Sequence, residues 1–298
     1  MTADHSSRVA AGGATLRILL SACGFGAIAV FVARAQGAGV ALLTVLSWRY
    51  VIGGACLALI AAFARDLRLD RTTLRVGLLS GFGQSIIAVV SLSALRYIPA
   101  ATLAFLFYTY PAWVAIIARV RHSEPLTPTR LFALALSLAG IFVMVGAPGG
   151  ATLHPAGVAL ALVAALLYAA YIPMINALQR GLTPLATATY MSLGAAIVLG
   201  IAAASRAELL VDIPSSAWLP VLGLALISTV AAFLLFLSGL RVLGPVRTAI
   251  ISTIEPFFTA LLSAWLLGQR LTSTTLVGGA FIAAAVVLLQ LRTNNSGP

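Results

Sequence analysis

The 298-residue sequence contains no lysine, only seven acidic residues and two cysteines, and charged residues make up 8% of it. Soluble domains are about 25% charged, so this chain has too few charges to cover a soluble surface. Cys23 and Cys56 both lie inside apolar runs, and two such thiols give neither a disulfide framework nor the spacing of a metal site. We interpret both as small buried hydrophobes.

Recognisable catalytic patterns are missing as well. The three histidines, His5, His122 and His154, are predicted to lie outside the apolar segments. The sequence has no H-E-x-x-H pattern, no P-loop and no pair of acids within an apolar segment. We therefore expect a protein that is not an enzyme and that uses neither a metal nor a cofactor.

Hydrophobic residues are in large excess. They make up 61% of the chain, and the mean hydropathy is +1.08. A bilayer can accommodate so much apolar surface, whereas the core of a soluble domain cannot. The formal net charge of +11 comes from 18 arginines scattered between apolar runs, which is typical of membrane-flanking charge rather than of a nucleic-acid site. The sequence predicts an all-α integral membrane protein that contacts lipid and binds no nucleic acid.

Ten apolar stretches approach the length of about 20 residues that a membrane-spanning helix needs. With the N-terminus inside, 13 arginines fall in interior segments and four in exterior loops. Because basic residues concentrate on the cytoplasmic side, we expect a multi-pass protein with both termini in the cytoplasm. The predicted spans lie near residues 16–33, 41–63, 76–95, 99–118, 130–147, 156–178, 186–204, 217–239, 246–267 and 275–291.

The two halves of the sequence resemble each other. After a shift of 145 residues, residues 96–144 align without a gap onto residues 241–289. Pro111 then matches Pro256, and a Leu-Thr-x-Thr-x-Leu loop follows in both halves. Matched prolines inside predicted spans are less easily explained by chance than matched alanines or leucines.

Each half contains five predicted spans, and an odd number makes the second half enter the membrane from the opposite side. The sequence therefore predicts ten transmembrane helices in two inverted five-helix repeats, residues 1–147 and 148–298. Inverted repeats of this kind are typical of secondary transporters.

Pro111 and Pro256 each lie near the middle of a predicted span. Proline lacks an N–H and clashes with the preceding turn, so the carbonyls of Phe107 and Ser252 lose their usual partners. Paired interruptions at equivalent positions of two halves point to the binding site of a transporter. We predict a hinge at each proline, and the alternative is a tolerated kink, since proline is common in membrane helices.

Glu255 is the only acidic residue inside a predicted span. A charge at the bilayer centre costs at least about 2.5 kcal/mol, so this side chain is expected to face a cavity or a partner. It can bind a substrate amine, titrate during transport, or form a structural hydrogen bond to a neighbouring helix. Residues at helical spacing predict that it lies in a polar stripe with Thr248, Ser252, Thr259 and Ser263.

Arg49 is the only clear cation inside a predicted span. It is a candidate charge partner for Glu255 or for a substrate carboxylate. We favour the alternatives that it snorkels towards an interface or bonds to carbonyls at a helix end.

A further polar face and two aromatic clusters complete the candidate site. Gln84 shares one face of the third span with Ser80 and Ser91, and aromatic residues crowd around Pro111 and the sixth span. Such a lining suits an amphipathic, partly apolar solute. The predicted substrate-binding residues are Gln84, Phe107, Tyr108, Tyr110, Tyr168, Tyr171, Ser252 and Glu255.

Ten spans in two halves, each with a proline-bearing helix and a glycine-rich last helix, resemble the EamA-type branch of the drug/metabolite transporter superfamily. The second half departs from the pattern, with Gln269 where relatives carry Glu. The resemblance implies export or exchange of small metabolites, with exporters of amino acids, including aromatic ones, prominent. It rests on Ser47-Trp48-Arg49-Tyr50, Glu124-Pro125-Leu126-Thr127, Leu166-Leu167-Tyr168-Ala169 and Ile254-Glu255-Pro256-Phe257.

We predict a secondary transporter of the bacterial inner membrane that exports amino acids, aromatic or apolar ones in particular, or related small metabolites by alternating access. One alternative is an exporter of other drugs or metabolites such as nucleotide-type solutes, but a phosphate would require more cations than Arg49. Another is a membrane receptor or scaffold without transport, against which the short loops argue. Proton coupling and the oligomeric state stay open.

Overall fold

The computed structural model describes residues 2–67, 70–94, 96–98, 100–145, 154–208, 212–268 and 270–293. Within these ranges all regular structure is helical and no strand is present. A π-helical segment, Leu226–Ala231, joins two of the helices. The α-helices in chain order are α1 (Thr2–Gly37), α2 (Leu42–Phe63), α3 (Arg71–Ala94), α4 (Ala100–Phe107), α5 (Tyr110–Val120), α6 (Pro128–Val145), α7 (Pro155–Leu178), α8 (Pro184–Ser205), α9 (Ser215–Ala225), α10 (Ala232–Ser252), α11 (Glu255–Leu267) and α12 (Ser273–Thr293).

Seven helical segments in the described part of the chain are long and apolar enough to cross a membrane, judged by length and composition. Three further apolar helices are shorter. The expected class of an all-helical membrane protein is therefore confirmed, while ten crossings stay a prediction. The seven segments are 10–37, 42–63, 71–91, 102–120, 155–178, 184–205 and 215–252, and the shorter helices are 128–144, 255–267 and 273–289.

Local sequence signals explain several helix ends. Pro155 and Pro184 stand in the first turn of α7 and α8, where a missing N–H costs nothing. The Thr183 hydroxyl caps α8 by accepting from the Ala186 N–H at 3.0 Å. Gly268, with φ of 67°, ends α11 in the left-handed conformation that glycine adopts readily.

Two of the predicted spans are each broken into two helices. Tyr108 and Thr109 separate α4 from α5, and Thr253 and Ile254 separate α10 from α11. The breaks lie 145 residues apart, the same spacing as the matched prolines. Both prolines therefore occupy the first turn of a new helix, and the expectation of a proline inside a continuous helix is wrong. The helices before the breaks end at Phe107 and Ser252. The end of a helix leaves its last carbonyls without partners in that helix, so the breaks alone free the carbonyls of these two residues.

A third interruption lies inside α10. Gly244 has φ of 77° and ψ of 167°, a conformation that is accessible almost only to glycine. The helix up to Leu243 and the helix from Pro245 onward are therefore separate pieces that change direction at Gly244. This break falls between the predicted spans 217–239 and 246–267.

Packing between the helices has a regular plan. α6 lies against α12 and α2 lies against α8. α1 packs on α10 and α11, whereas α7 packs on α3, α4 and α5. The main buried core lies at the centre of this arrangement, and its largest fully buried side chains include Tyr50, Tyr110 and Leu240.

Glycines allow α3 and α8 to approach each other closely. A Cβ at Gly194 would lie 2.1 Å from the carbonyl oxygen of Gly77, and a Cβ at Gly81 would lie 2.4 Å from the carbonyl carbon of Gly194. Contacts this short exclude any side chain larger than hydrogen. Small residues at membrane helix interfaces permit the van der Waals packing that holds such helices together.

We expect Gly194→Ala to lower the melting temperature of the protein in detergent, because the added methyl group forces α3 and α8 apart. Overpacking of this kind costs about 1–3 kcal/mol. Gly200→Ala is the matched control, since no atom lies within 4 Å of its Cβ position on the same helix. Thermal unfolding of both variants measures the difference, and equal melting temperatures would contradict the close packing.

Candidate functional site

A cavity of about 180 Å³, here called the central cavity, lies among the helices at the middle of the bundle. An apolar cavity of about 150 Å³ holds a benzene molecule, so there is room for one ring or a small metabolite. Two of the lining side chains, Arg49 and Glu255, carry a charge. The wall is formed by Phe25, Ile28, Arg49, Gln84, Ile87, Phe107, Tyr168, Tyr171, Ile175, Met191, Phe233, Phe236, Leu237 and Glu255.

Most of the residues singled out in the sequence reach this wall. The structure brings Gln84, Phe107, Tyr168, Tyr171, Glu255 and Arg49 together. Tyr108, Tyr110 and Ser252 are buried behind the wall instead. Tyr110 is 1% exposed and its ring packs edge-on against Tyr168, with ring centroids 4.7 Å apart. Tyr110 is therefore part of the packed core beside the cavity and is not among the residues of its wall.

The apolar part of the wall was not predicted. It consists of Phe25, Ile28, Ile87, Ile175, Met191, Phe233, Phe236 and Leu237. Lipid, core and cavity all accept the same apolar side chains, so composition does not distinguish among the three environments. Only the three-dimensional packing reveals which of these residues face the cavity.

Stacked aromatic rings form one side of the cavity. The ring centroids of Phe107 and Tyr168 are 5.4 Å apart, and those of Tyr168 and Tyr171 are 6.4 Å apart. The Tyr171 hydroxyl donates to the carbonyl oxygen of Ser80 at 3.1 Å. This bond fixes the end of the column, so the rings present a rigid surface to a ligand.

Arg49 is held by the π-helical segment. The side chain is 5% exposed. Its Nε donates to the Thr229 hydroxyl at 2.8 Å, and its Nη2 donates to the Ser228 carbonyl at 3.0 Å. A π-helix weakens the regular helical ladder and leaves backbone oxygens available to such a donor. Arg49 therefore bonds to one backbone carbonyl and one hydroxyl of the π-helical segment, rather than to carbonyls at a helix end.

Glu255 is the first residue of α11, where the helix dipole favours a negative charge. Behind it, the side chain of Tyr108 interacts with the carboxyl group. Arg49 exerts a Coulombic attraction on Glu255, but no ion pair joins the two within the described residues. Two opposite charges thus share the cavity while each is held by its own helix.

The polar stripe predicted around Glu255 is not continuous. The break at Thr253 and Ile254 places Thr248 and Ser252 on one helix and Thr259 on the next. Of the stripe, Glu255 alone is among the residues that line the central cavity. The break therefore interrupts the helical spacing on which the prediction of one polar face rests, and that face stays a prediction.

The polar face predicted on α3 reaches the cavity at one residue. Ser80 and Ser91 donate to carbonyls of their own helix, those of Val76 and Ile87. Gln84 lines the cavity, and its amide has no hydrogen bond to another described residue. The Gln84 amide is therefore available to donate or to accept.

A second cavity of about 430 Å³ lies at the end of the bundle where arginines gather, here called the arginine-rich end. Arg121, Arg180 and Arg241 line it together with Glu124 and Gly244. In the described residues, no group of three or more His, Cys, Asp or Glu side chains comes together to hold a metal ion. The chemistry of both cavities is therefore that of hydrogen bonds, charges and apolar contact.

Glu124 makes the most specific contacts at the arginine-rich end. One carboxylate oxygen accepts from the Val246 N–H at 3.2 Å, and the other pairs with Arg130 at 3.1 Å. Burial raises the pKa of the Glu124 carboxyl, while the Val246 N–H and Arg130 lower it. The carboxylate thus caps the helix that begins after Gly244, across the interface with another part of the chain.

Comparisons with known proteins agree that the chain is similar to membrane transporters. The sequence profile of the EamA-like transporter family matches residues 13–146 and again residues 155–291. An uncharacterized transporter of Archaeoglobus fulgidus is 30% identical over 273 residues, which cover 91% of this chain and 94% of that protein. The uncharacterized inner membrane transporter YicL of Salmonella typhimurium is 30% identical over 184 residues, which cover 60% of this chain and 59% of that protein.

A solved crystal structure, described only as that of a protein, has the same fold. It superimposes with a TM-score of 0.79 at 19% sequence identity and covers 96% of this chain and 99% of the other. At this identity the likeness extends to the fold alone. The overall path of the chain therefore has a precedent in an experimental structure.

We expect Arg49→Gln to lower the melting temperature, because the Ser228 carbonyl and the Thr229 hydroxyl lose their donors inside the bundle. A buried acceptor left without a partner costs about 1–3 kcal/mol. Arg180→Gln removes the same charge from an exposed position at the end of α7 and is the control. If the two variants unfold at the same temperature in detergent, Arg49 does not stabilise the π-helical segment.

Proposed function

Since the chain belongs to the EamA-like transporter family, within the drug/metabolite transporter superfamily, we propose that it exports amino acids or related small metabolites across the bacterial inner membrane. It is a multi-pass membrane transporter and not an enzyme. The observation that carries the choice of substrate is the central cavity, where Arg49 and Glu255 share an aromatic-lined space without an ion pair between them.

A zwitterion complements these two charges. Its carboxylate accepts from donors of Arg49 that the π-helical segment leaves free, and its ammonium group lies against Glu255. The stacked rings of Phe107 and Tyr168 line the same space and limit the access of water to these charges. Both charges lie in a medium of low dielectric constant, where a ligand that satisfies both is strongly preferred over one that satisfies one.

The apolar wall favours an aromatic or apolar side chain on that zwitterion. A volume of about 180 Å³ suits one ring or a branched aliphatic group. A phosphate-bearing solute has two negative charges to neutralise, and among the described residues of the wall Arg49 is the only cation. Nucleotide-type solutes therefore fit less well.

For the movement, we infer two inverted five-helix repeats, residues 1–147 and 148–298. The family profile matches the chain twice. The packing plan supports the inference, because α1 contacts α10 and α11 in the way that α7 contacts α3, α4 and α5. Repeats related in this way exchange their conformations to open a central site to one side and then to the other.

The hinges in this scheme are the two matched helix breaks. Pro111 and Pro256 are the second residues of the helices that follow the breaks, and their fixed φ angle suits the first turn. Phe107 precedes one break and Glu255 follows the other, and both line the central cavity. A change of direction at either break therefore moves a residue of the binding wall.

We expect purified protein in proteoliposomes to exchange labelled phenylalanine above the rate of empty vesicles. Two analogues with one charge, phenethylamine and 3-phenylpropanoate, should compete at least about tenfold less well, because each leaves one charged side chain unpaired. Flux that never exceeds the empty-vesicle rate would remove the amino-acid proposal.

The variants test the roles of the two charges separately. Glu255→Gln should reduce the discrimination against 3-phenylpropanoate, and Arg49→Gln should reduce the discrimination against phenethylamine. Glu208→Gln, far from the cavity at the end of α8, is the control. A Glu255→Gln variant whose rate and pH dependence both equal those of the parent excludes binding and titrating roles for this carboxyl.

The proposed orientation has its own test. Alkaline phosphatase fused after Arg206 should be active in cells, because that loop is predicted to face the periplasm. The same enzyme fused after Arg180 should be inactive, and a fluorescent protein at the C-terminus should fluoresce. Activity after Arg180 but not after Arg206 would place both termini outside.

A further inference from the structure

We propose that the Glu124 carboxylate is a latch that keeps the central cavity closed towards the arginine-rich end. Glu124 lies in the first half of the chain, and the helix that it caps, which begins after Gly244, lies in the second half. The contact therefore joins the two units that move in the proposed transport cycle. It would have to break whenever the central cavity opens towards this end.

The two cavities are stacked along the same helices. On α7, Ile175 lines the central cavity while Asn176 lines the second one. On α10, Leu237 belongs to the first and Leu243 to the second, which puts less than two helical turns between them. Leu240, which is fully buried, lies between these two positions along α10. The two cavities are therefore close to each other along α7 and α10.

Gly244 makes the latch specific. Its backbone angles turn the chain so that the Val246 N–H points at Glu124. A Cβ added at Gly244 would lie 3.0 Å from a carboxylate oxygen of Glu124. The carboxylate thus occupies the space that a side chain would fill, and it reaches the start of the broken helix directly.

The charges around the latch are mostly positive. Arg130 pairs with Glu124 from the first half, and Arg247 of the second half lies near both. The Nη2 atom of Arg247 is buried and has no hydrogen-bond partner in the described residues. Without the Glu124 carboxylate, Arg130 and Arg247 would repel each other across the interface of the two halves. Loss of the carboxylate therefore favours separation.

A second side-chain contact between the two halves, also among the described residues, lies at the same end. The Thr183 hydroxyl donates to the Asp66 carboxylate, which lies between α2 and α3. This contact reaches the beginning of α8 and not the broken helix. Asp66 therefore provides a matched comparison for Glu124, with the same charge, at the same end and between the same two halves.

The test measures access to the central cavity and needs no transported solute. Gln84→Cys is introduced after Cys23 and Cys56 have been replaced by alanine. The rate at which an impermeant trimethylammonium methanethiosulfonate modifies this cysteine is measured in inside-out and right-side-out vesicles. Arg180→Cys, at an exposed position of the arginine-rich end, shows in a parallel sample which vesicles present that end.

Glu124→Ala should raise the modification rate from the arginine-rich end by about tenfold, as expected for the loss of a charge-assisted hydrogen bond that holds one of two states. From the opposite side the rate should stay the same or fall. Glu124→Gln keeps an acceptor for the Val246 N–H and should give a smaller rise with the same sidedness. Asp66→Asn should leave the rate unchanged.

Three results overturn the latch. One is an unchanged rate in a Glu124→Ala variant that still elutes as a single species in size exclusion. Another is a rise from both sides, which indicates general loosening. The third is an equal rise in Asp66→Asn. If Glu124→Ala does not fold, the absence of a rise in Glu124→Gln decides against the latch. Failure of phenylalanine exchange would leave this result standing, so the two proposals are tested independently.

Discussion

Inside a bilayer, every backbone N–H and C=O group must find a partner within the protein, and the form of this molecule depends on that constraint. The described chain leaves regular α-helical geometry inside the bundle at the π-helical segment, at Gly244 and at the two matched breaks. Such interruptions cannot face lipid, because hydrocarbon offers no hydrogen bonds. The two matched breaks carry Phe107 and Glu255 to the wall of the central cavity, and Gly244 lines the second cavity.

Three charged side chains, Arg49, Glu255 and Glu124, are each held at one of these interruptions. Arg49 donates to a carbonyl of the π-helical segment, Glu255 begins the helix after a matched break, and Glu124 accepts from the N–H that follows Gly244. The sign of each charge matches the backbone groups near it. A cation is stabilised by carbonyl oxygens without a helical partner, and an anion is stabilised by the free N–H groups at the start of a helix. The interruptions therefore supply both the flexibility and the positions of the charges that the proposed transport requires.

The sequence predicted the features that depend on the identity of single residues. It did not predict which side chains face the cavity, because that depends on how each helix is rotated about its axis. Glu255 and Arg49 were found because a charge in an apolar run has few alternatives. Tyr110 and Ser252 are buried and do not line the cavity, because the sequence alone does not show which side of a helix turns towards a cavity once a break interrupts the helical spacing. The Gly244-Pro245 pair is itself a turn signal that would have located the third break. The π-helical segment has no residue signature, so only the structure reveals it.

The two halves share their helix breaks but not their charged residues, and the two features have different roles in the proposed mechanism. The matched breaks give both halves the same means of bending, but the charges are not matched. At the 145-residue spacing, Glu255 corresponds to Tyr110, and Glu124 corresponds to Gln269, which lies outside the described residues. A carboxylate latch is therefore expected at one end of the bundle only. If closure is stronger at the arginine-rich end, the state that is open towards this end has a higher free energy than the state that is open towards the other end. The transporter then rests in the second state, although its two halves share one fold. The sidedness of a transporter can arise in this way from one acidic residue whose copy has been lost.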